Sequence, residues 1–397
     1  MAPETFPRML KRHRTARGWS QQRLAEVLCA ESGRPTVTRQ EVYRWESGRR
    51  VPRFWLPHLA SVLDIPREEL ERALAAADTP SPTLAELLPG DRPVAALSAT
   101  TGRRIGRSAA DRLVARVHAL RLADDVMAGH DLIGPAFREF EAAVALLREG
   151  THTEAVGRAL HVAVGELAQI AGWIASDAGQ HDRAEQAYRL GLSAAREAGD
   201  ATLAGQLAGS LAYQWSNIGR VADAVTLAEA ALNEAGTVAP PRARALFWDR
   251  VAWAHTRNED SRAAMRALGE AGEALSRHAD EDEPAWLYWV DAGELQIMEA
   301  RAYTELRRPL RAVPLLNDVL SRYDATHTRE MALYLSWLAV AYADANEPEQ
   351  AADVARRMLD MSADLGSERT AERARVVRAS LGPFRDVPEV RQVLNAA

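Results

Sequence analysis

The scarcest residues in this 397-residue chain are cysteine and lysine: Cys29 and Lys11 stand alone. A lone cysteine excludes an internal disulfide framework, a CxxC redox pair and a cysteine metal cluster. No stretch approaches about eighteen uninterrupted apolar residues, and residues 1–7 carry no apolar run of signal-peptide length, so a soluble cytoplasmic protein without membrane association is expected. Sustained apolar/polar alternation is missing too, which argues against strands. No GxxxxGK[ST], GxSxG or HExxH occurs, and the ten histidines do not fall at metal-ligand spacing. Asp124-Asp125 and Glu281-Asp282-Glu283 read as a solvated helix face and a solvated loop. No catalytic function, cofactor or metal is expected.

What is present is apolar helix-forming sequence, 47% hydrophobic, with a net charge of −6 that is unevenly spread. Residues 1–53 hold 12 Lys and Arg against 5 Asp and Glu, a balance of +7, which leaves −13 for residues 54–397. A basic head attracts phosphates, and an acidic body tends to stay off nucleic acid. The helix-breaking runs Asp78-Thr79-Pro80-Ser81-Pro82-Thr83 and Leu88-Pro89-Gly90-Asp91-Arg92-Pro93 divide the chain into a head at 1–77, a linker at 78–107 and a body at 108–397.

In the head, Ser20 is a candidate N-cap before Gln21-Gln22-Arg23, with Leu24, Ala25 and Leu28 facing inward. Thr38 caps a second short helix that buries Val42 and Trp45, leaving Arg39, Gln40, Tyr43 and Arg44 outward. Arginine pairs bidentately with guanine and glutamine with adenine, each discriminating by roughly 1–3 kcal/mol. Arg49, Arg50 and Arg53 suit phosphate or narrow-minor-groove contacts. Cys29, next to Leu28, reads as helix-end packing rather than a redox sensor.

Residues 6–77 resemble the helix-turn-helix of phage repressors and of the xenobiotic-response-element (XRE) family of bacterial regulators. The resemblance rests on Ser-Gln opening the second helix, a Thr-led third helix, Arg44-Trp45-Glu46-Ser47-Gly48, and Pro52-Arg53-Phe54-Trp55-Leu56-Pro57 leading into the fourth. It implies that Thr38, Arg39, Gln40 and Arg44 face the groove, and that Gln21 meets a phosphate. The connector 28–37 is several residues longer than the family's tight turn, room enough for a longer second helix or a backbone contact through Arg34.

The body carries an internal repeat. Ala184, Ala224, Ala263, Ala312 and Ala351 open five second helices, and twelve positions before each stands Gly172, Ala212, Val251, Ala300 or Ala339. Small residues there let paired helices approach closely. The predicted pairs are about 160–199, 201–236, 241–278, 284–323 and 327–366, preceded by helices at about 108–127 and 134–149 and followed by a cap at 370–396. Ala341-Tyr342-Ala343-Asp344-Ala345-Asn346-Glu347-Pro348-Glu349-Gln350-Ala351 and Ala302-Tyr303-Thr304-Glu305-Leu306 resemble the tetratricopeptide-repeat (TPR) family, although the period is longer and a later motif aromatic is clear only at Tyr188.

Stacked helix pairs make a superhelix whose concave surface is an extended groove for a peptide or elongated ligand. The repeat register projects Gln169, Trp173, Asp177, Tyr213, Asn217, Trp248, His255, Glu294 and Arg301 inward, with Trp173, Asp177, Tyr213, Asn217, Trp248, His255 and Arg301 as candidate ligand contacts. The expected fold is all-α, a lambda-repressor-like helix-turn-helix domain followed by a TPR-like α-superhelix. The layout resembles bacterial regulators that fuse an XRE-type reader to a TPR sensor, and scarce lysine fits a GC-rich, actinobacterial source. The resemblance implies a homodimer on double-stranded DNA with half-sites ~34–36 Å apart or a multiple of that. A signalling peptide, a small molecule and a protein partner all remain open as occupants of the groove. The competing reading is a TPR interaction adaptor whose head only dimerises or anchors.

Overall fold

The computed structural model describes residues 6–34, 36–46, 50–77, 82–88, 94–95, 100–127, 129–277, 283–322, 328–362 and 368–395. The chain divides into two units, Met1–Ser81 and Pro82–Ala397.

The first unit is built from α1 (Phe6–Ala16), α2 (Gln21–Ser32), α3 (Arg39–Glu46), α4 (Leu56–Leu63) and α5 (Arg67–Ala77). Ser20 caps α2, its hydroxyl accepting from the Arg23 amide at 3.0 Å, and Thr38 caps α3 by accepting from the Glu41 amide at 3.3 Å. The long connector is resolved by length: α2 runs to Ser32 and stops at Gly33, whose φ of 66° is the left-handed C-cap conformation glycine adopts without strain. The core is small and apolar, with Leu10, Leu24, Leu28, Val42, Trp45, Leu59 and Leu63 almost fully buried. Cys29 packs beside this core and its thiol contacts the Val37 carbonyl at 3.4 Å, in keeping with helix-end packing.

The second unit begins where a linker was expected. A short helix, α6 (Leu84–Leu87), opens with a capping box between Thr83 and Glu86, and Leu84, Leu88, Val94 and Ile105 are buried in the body's main core. Three arginine and histidine contacts fasten this stretch. Arg196 donates to the Leu88 carbonyl at 2.9 Å, Arg148 to the Val94 carbonyl at 3.0 Å, and His161 lies 3.3 Å from the Ala95 carbonyl. Two two-residue strands, β1 (Arg103–Arg104) and β2 (Gly150–Thr151), pair in parallel between α7 (Arg107–Val126) and α8 (Gly129–Glu149) and their neighbours. They are the departure from an otherwise all-α chain among the described residues.

Five helix pairs follow: α9 (Glu154–Asp177) with α10 (His181–Ala198), α11 (Ala201–Asn217) with α12 (Val221–Ala235), α13 (Pro241–Arg257) with α14 (Ser261–Ser276), α15 (Ala292–Glu305) with α16 (Pro309–Leu320), and α17 (Thr328–Asp344) with α18 (Pro348–Ser362). Then come α19 (Glu368–Leu381) and α20 (Pro388–Asn395). Each pair turns on one residue of positive φ: Gly179, Gly219, Glu259, Arg307 and Asn346. Seven positions before them stand Gly172, Ala212, Ala252, Ala300 and Ala339, all buried. In the third pair the small residue is therefore Ala252, not Val251, and its partner is Ala264, which is fully buried, rather than Ala263. Close approach is required at Gly172, where a Cβ would come within 2.6 Å of the buried Tyr188 ring.

The pairs do not open into an extended groove. Arg369 of α19 reaches back to Asp177 of α9 at 3.6 Å, and the Tyr288 hydroxyl donates to Asp125 of α7 at 2.7 Å. The array curves until α19 touches α9. Its concave face holds cavities that stay open to the surface, in place of one extended groove.

Candidate DNA-reading surface and ligand chamber

On α3 the two buried anchors Val42 and Trp45 fix the helix, so the residues between and before them face outward. Arg39 and Gln40 are exposed, as is Thr38, and Tyr43 is half-buried. Arg44 is exposed and donates to Glu41 at 2.6 Å, while Arg50 donates to the other oxygen of the same carboxylate at 3.0 Å. Glu41 thus holds two guanidiniums together beside the exposed end of α3. Arg49 and the Arg53 side chain lie outside the described residues.

Gln21 departs from the simple phosphate-facing expectation. Its amide donates to Glu46 at 2.7 Å, and the same carboxylate accepts from Arg14 at 2.6 and 3.0 Å. Arg14 and Glu46 are both largely buried, so this cluster ties α1, α2 and α3 together at their junction. Arg34 lies over the exposed Phe54 ring at 5.1 Å.

In the body, five of the seven candidate ligand contacts converge. Trp173 stacks on Tyr213 with ring centroids 5.6 Å apart. Tyr213 lies 6.1 Å from Trp253, and Trp253 meets Trp337 edge-on at 5.9 Å. Into this ladder projects Arg301, which donates to the Tyr213 hydroxyl at 2.7 Å and sits 4.5 Å from the Trp253 ring. Arg250 lies 4.6 Å from the Tyr213 ring and Arg373 lies 3.5 Å from Trp337. Guanidiniums over ring faces are attractive, more so when water is excluded. Asn217 accepts from the Trp253 indole at 3.0 Å, and Asp177 pairs with Arg369.

Two of the seven go elsewhere. Trp248 is half-buried against the body's main core, and His255 faces Glu229 of α12 at 3.3 Å. Both follow from placing the third repeat on Val251. With Ala252 as the anchor, Trp253 falls in line with Trp173 and Tyr213 at successive 40-residue intervals. That signal was available in the sequence. Arg250, Trp337 and Arg373 had no such signal: Arg250 meets Tyr213 across the adjacent helices α11 and α13, and Trp337 and Arg373 come from α17 and α19. Of the carboxylates read as solvated, Asp124 is buried, Asp125 accepts from Tyr288, and Glu283 pairs with Arg242 at 3.2 Å; Glu281 and Asp282 lie outside the described residues.

The Tyr213–Arg301 contact partitions the interior. A chamber of about 600 Å³ lies on one side, with Gln169, Glu294 and Arg250 among its walls, and one of about 290 Å³ on the other, with Asn217 and Asp177. The electrostatics are strongly shifted. Burial raises the Tyr213 pKa, but the charges of Arg301, Arg369 and Arg250 outweigh it and bring the phenol down to about 8. Burial lifts both Asp249 and Glu294 above the usual carboxylate range. Arg373, desolvated beside other guanidiniums, is lowered to about 10.

Residues 7–87 match a family model described as a helix-turn-helix domain. Among curated proteins none matches the chain. The match covers the N-terminal unit, which has the helix-turn-helix arrangement, and the remainder is a superhelical all-α body. Among the described residues no helix is long and apolar enough to cross a membrane, and no group of histidine, cysteine and carboxylate side chains is arranged to hold a metal ion.

Proposed function

We propose that the chain is a sequence-specific, cytoplasmic transcriptional regulator of the XRE kind, acting as a homodimer, whose TPR-like body senses a ligand in the cavities of its concave face. The observation that carries the DNA half is the exposed face of α3: Arg39, Gln40 and Arg44 stand outward on a helix anchored by Val42 and Trp45. Thr38, Tyr43 and Arg50 flank that face, and Gln21 supports it through Glu46. Arginine and glutamine on such a helix read guanine and adenine edges, and the basic balance of residues 1–53 supplies phosphate attraction. Paired half-sites supply the area that one small module lacks.

Selection of bound fragments from sheared genomic DNA, at low and at physiological salt, tests this reading. The full-length protein is expected to enrich discrete, two-fold-related sites, and Arg39→Ala combined with Arg44→Ala to lower specific affinity by about 10- to 1000-fold while leaving the fold intact. Fragment retention without sequence preference, or unchanged affinity in the double variant, would sink it and favour the interaction-adaptor reading. The sensing half rests on the cluster of aromatic and guanidinium side chains around a real cavity.

A further inference from the structure

We propose that the larger chamber is a binding site for a small planar organic acid, its carboxylate held by Arg250 and Arg301 and its ring laid against Trp173 and Trp289. This deepens the sensing reading above and rests on it.

An extended peptide needs a continuous groove. Here Arg301 bonds across to Tyr213, and Arg369 ties α19 to α9, so the concave face is divided into two separate cavities, each open to the surface. The larger compartment, about 600 Å³, lies within the ~300–1,000 Å³ typical of small-molecule sites.

Its walls hold polar atoms that the protein leaves without partners. Arg250 is only 4% exposed, yet its Nε has no acceptor, and Gln206 is 3% exposed with its Oε1 lacking a donor. The Arg301 Nε is likewise without an acceptor. Buried polar groups are almost always satisfied, and Arg250, Arg301 and Gln206 all line this one cavity, so their unmet capacity is there for a ligand to which these side chains adjust. Two guanidinium donors ask for an oxyanion, and the amide oxygen asks for a hydroxyl or N–H on the same molecule.

The neighbouring carboxylates do not take that role from the ligand. Asp125 accepts from Tyr288, Asp291 caps α15, and Glu294 accepts from Tyr334 at 2.9 Å. Asp124 and Glu330, on the same walls, are also engaged. Asp249 meets Arg250 only at 3.5 Å, through an Nη rather than the free Nε. The depressed Tyr213 phenol reports the positive potential that remains among these guanidiniums. The rest of the wall is flat and aromatic, the surface on which a ring stacks in offset or edge-on contact.

The test uses full-length protein with benzoate, 2-naphthoate and indole-3-acetate, each beside its neutral carboxamide, followed by calorimetry and by quenching of tryptophan fluorescence. At least one acid is expected to bind tenfold or more tightly than its amide. Arg250→Met is expected to weaken the acid by tenfold or more and the amide by much less, so that the preference is lost. Arg301→Lys, which keeps the charge but loses the Nε donor and planar fork, serves as a second variant should Arg250→Met fail to fold; it is expected to weaken the acid selectively. Equal binding of acid and amide, or no binding by any of the three acids, overturns the proposal. A peptide pool that raises the melting temperature when no acid does overturns the planar acid but leaves a sensing body. Acid binding with no change in operator affinity overturns the sensing reading and leaves the site.

Discussion

On the outer face of α3, arginine works at the surface; around the body's chamber, it works in the interior. Arg44 and Arg50 are more than two-fifths exposed and share one carboxylate, Glu41, which solvent and salt can displace. Arg250 is nearly sealed and Arg373 only 12% exposed, each fixed over indole or phenol rings. An exposed guanidinium exchanges partners at small cost, since surface ion pairs contribute only about 0–1 kcal/mol. A desolvated one cannot, because losing its partners leaves a charge stranded in a poorly polarisable medium. The same side chain therefore suits reversible contact with a charged polymer in one unit and discrimination of a single enclosed molecule in the other.

The largest expected effect that separates the two units is on the head's small core. Trp45→Ala removes a nearly fully buried indole and should cost about 3–5 kcal/mol, enough to unfold the helix-turn-helix. The body's melting transition should stay in place, and loss of both transitions together would break the division.

Next comes the interior field. The folded Tyr213 pKa of about 8 lies below the ordinary value of 10, so its stabilising contribution is fully present above pH 10 and lost as pH falls through 8. Arg301→Met should move the phenol's titration, read as tyrosinate absorbance near 295 nm, upward toward 10 and flatten the gain in stability between those values. A titration unchanged in the variant would mean that Arg301 does not set the field.

Helix-pair geometry gives the third contrast. Gly172→Ala should destabilise the body by about 1–3 kcal/mol through overpacking on Tyr188. Glu259→Gly should stabilise it by about 1 kcal/mol by relieving a non-glycine residue at φ 59°. Chemical denaturation measures both, and the same sign for the two would contradict the repeat register.

The smallest effect belongs to the surface. Glu41→Gln removes a carboxylate that competes with phosphate for Arg44 and Arg50, and should tighten DNA binding about two- to fivefold at low salt, less at high salt. Weaker binding would show that Glu41 positions these arginines rather than competing for them.

What the sequence made legible was whatever is local. The caps at Ser20 and Thr38, the buried pair Val42 and Trp45, and the order of five helix pairs depend on side chains a few positions apart, and each stands in the structure. The third repeat slipped by one because Glu259, Arg307 and Asn346 fill turn positions where Gly179 and Gly219 announce themselves. The stretch at 78–107 reads as a linker because its prolines and glycines outnumber its anchors, yet Leu84, Leu88, Val94 and Ile105 are each buried in the body's main core. The chamber was half visible. Trp173, Tyr213 and Arg301 follow from period alone, whereas Arg250, Trp337 and Arg373 stand at positions that the 40-residue spacing does not mark and join them through the packing of α13, α17 and α19.

That return of α19 to α9 alters how the body can evolve and unfold. An open solenoid has ends: repeats can be added, trimmed or frayed one at a time, each felt mainly by its neighbour. The Arg369–Asp177 contact adds a tie between α19 and α9 that a plain solenoid lacks, so deleting a pair between them would break that tie as well as shorten the array. The last helices are thereby coupled to the first pair rather than to their immediate neighbours alone.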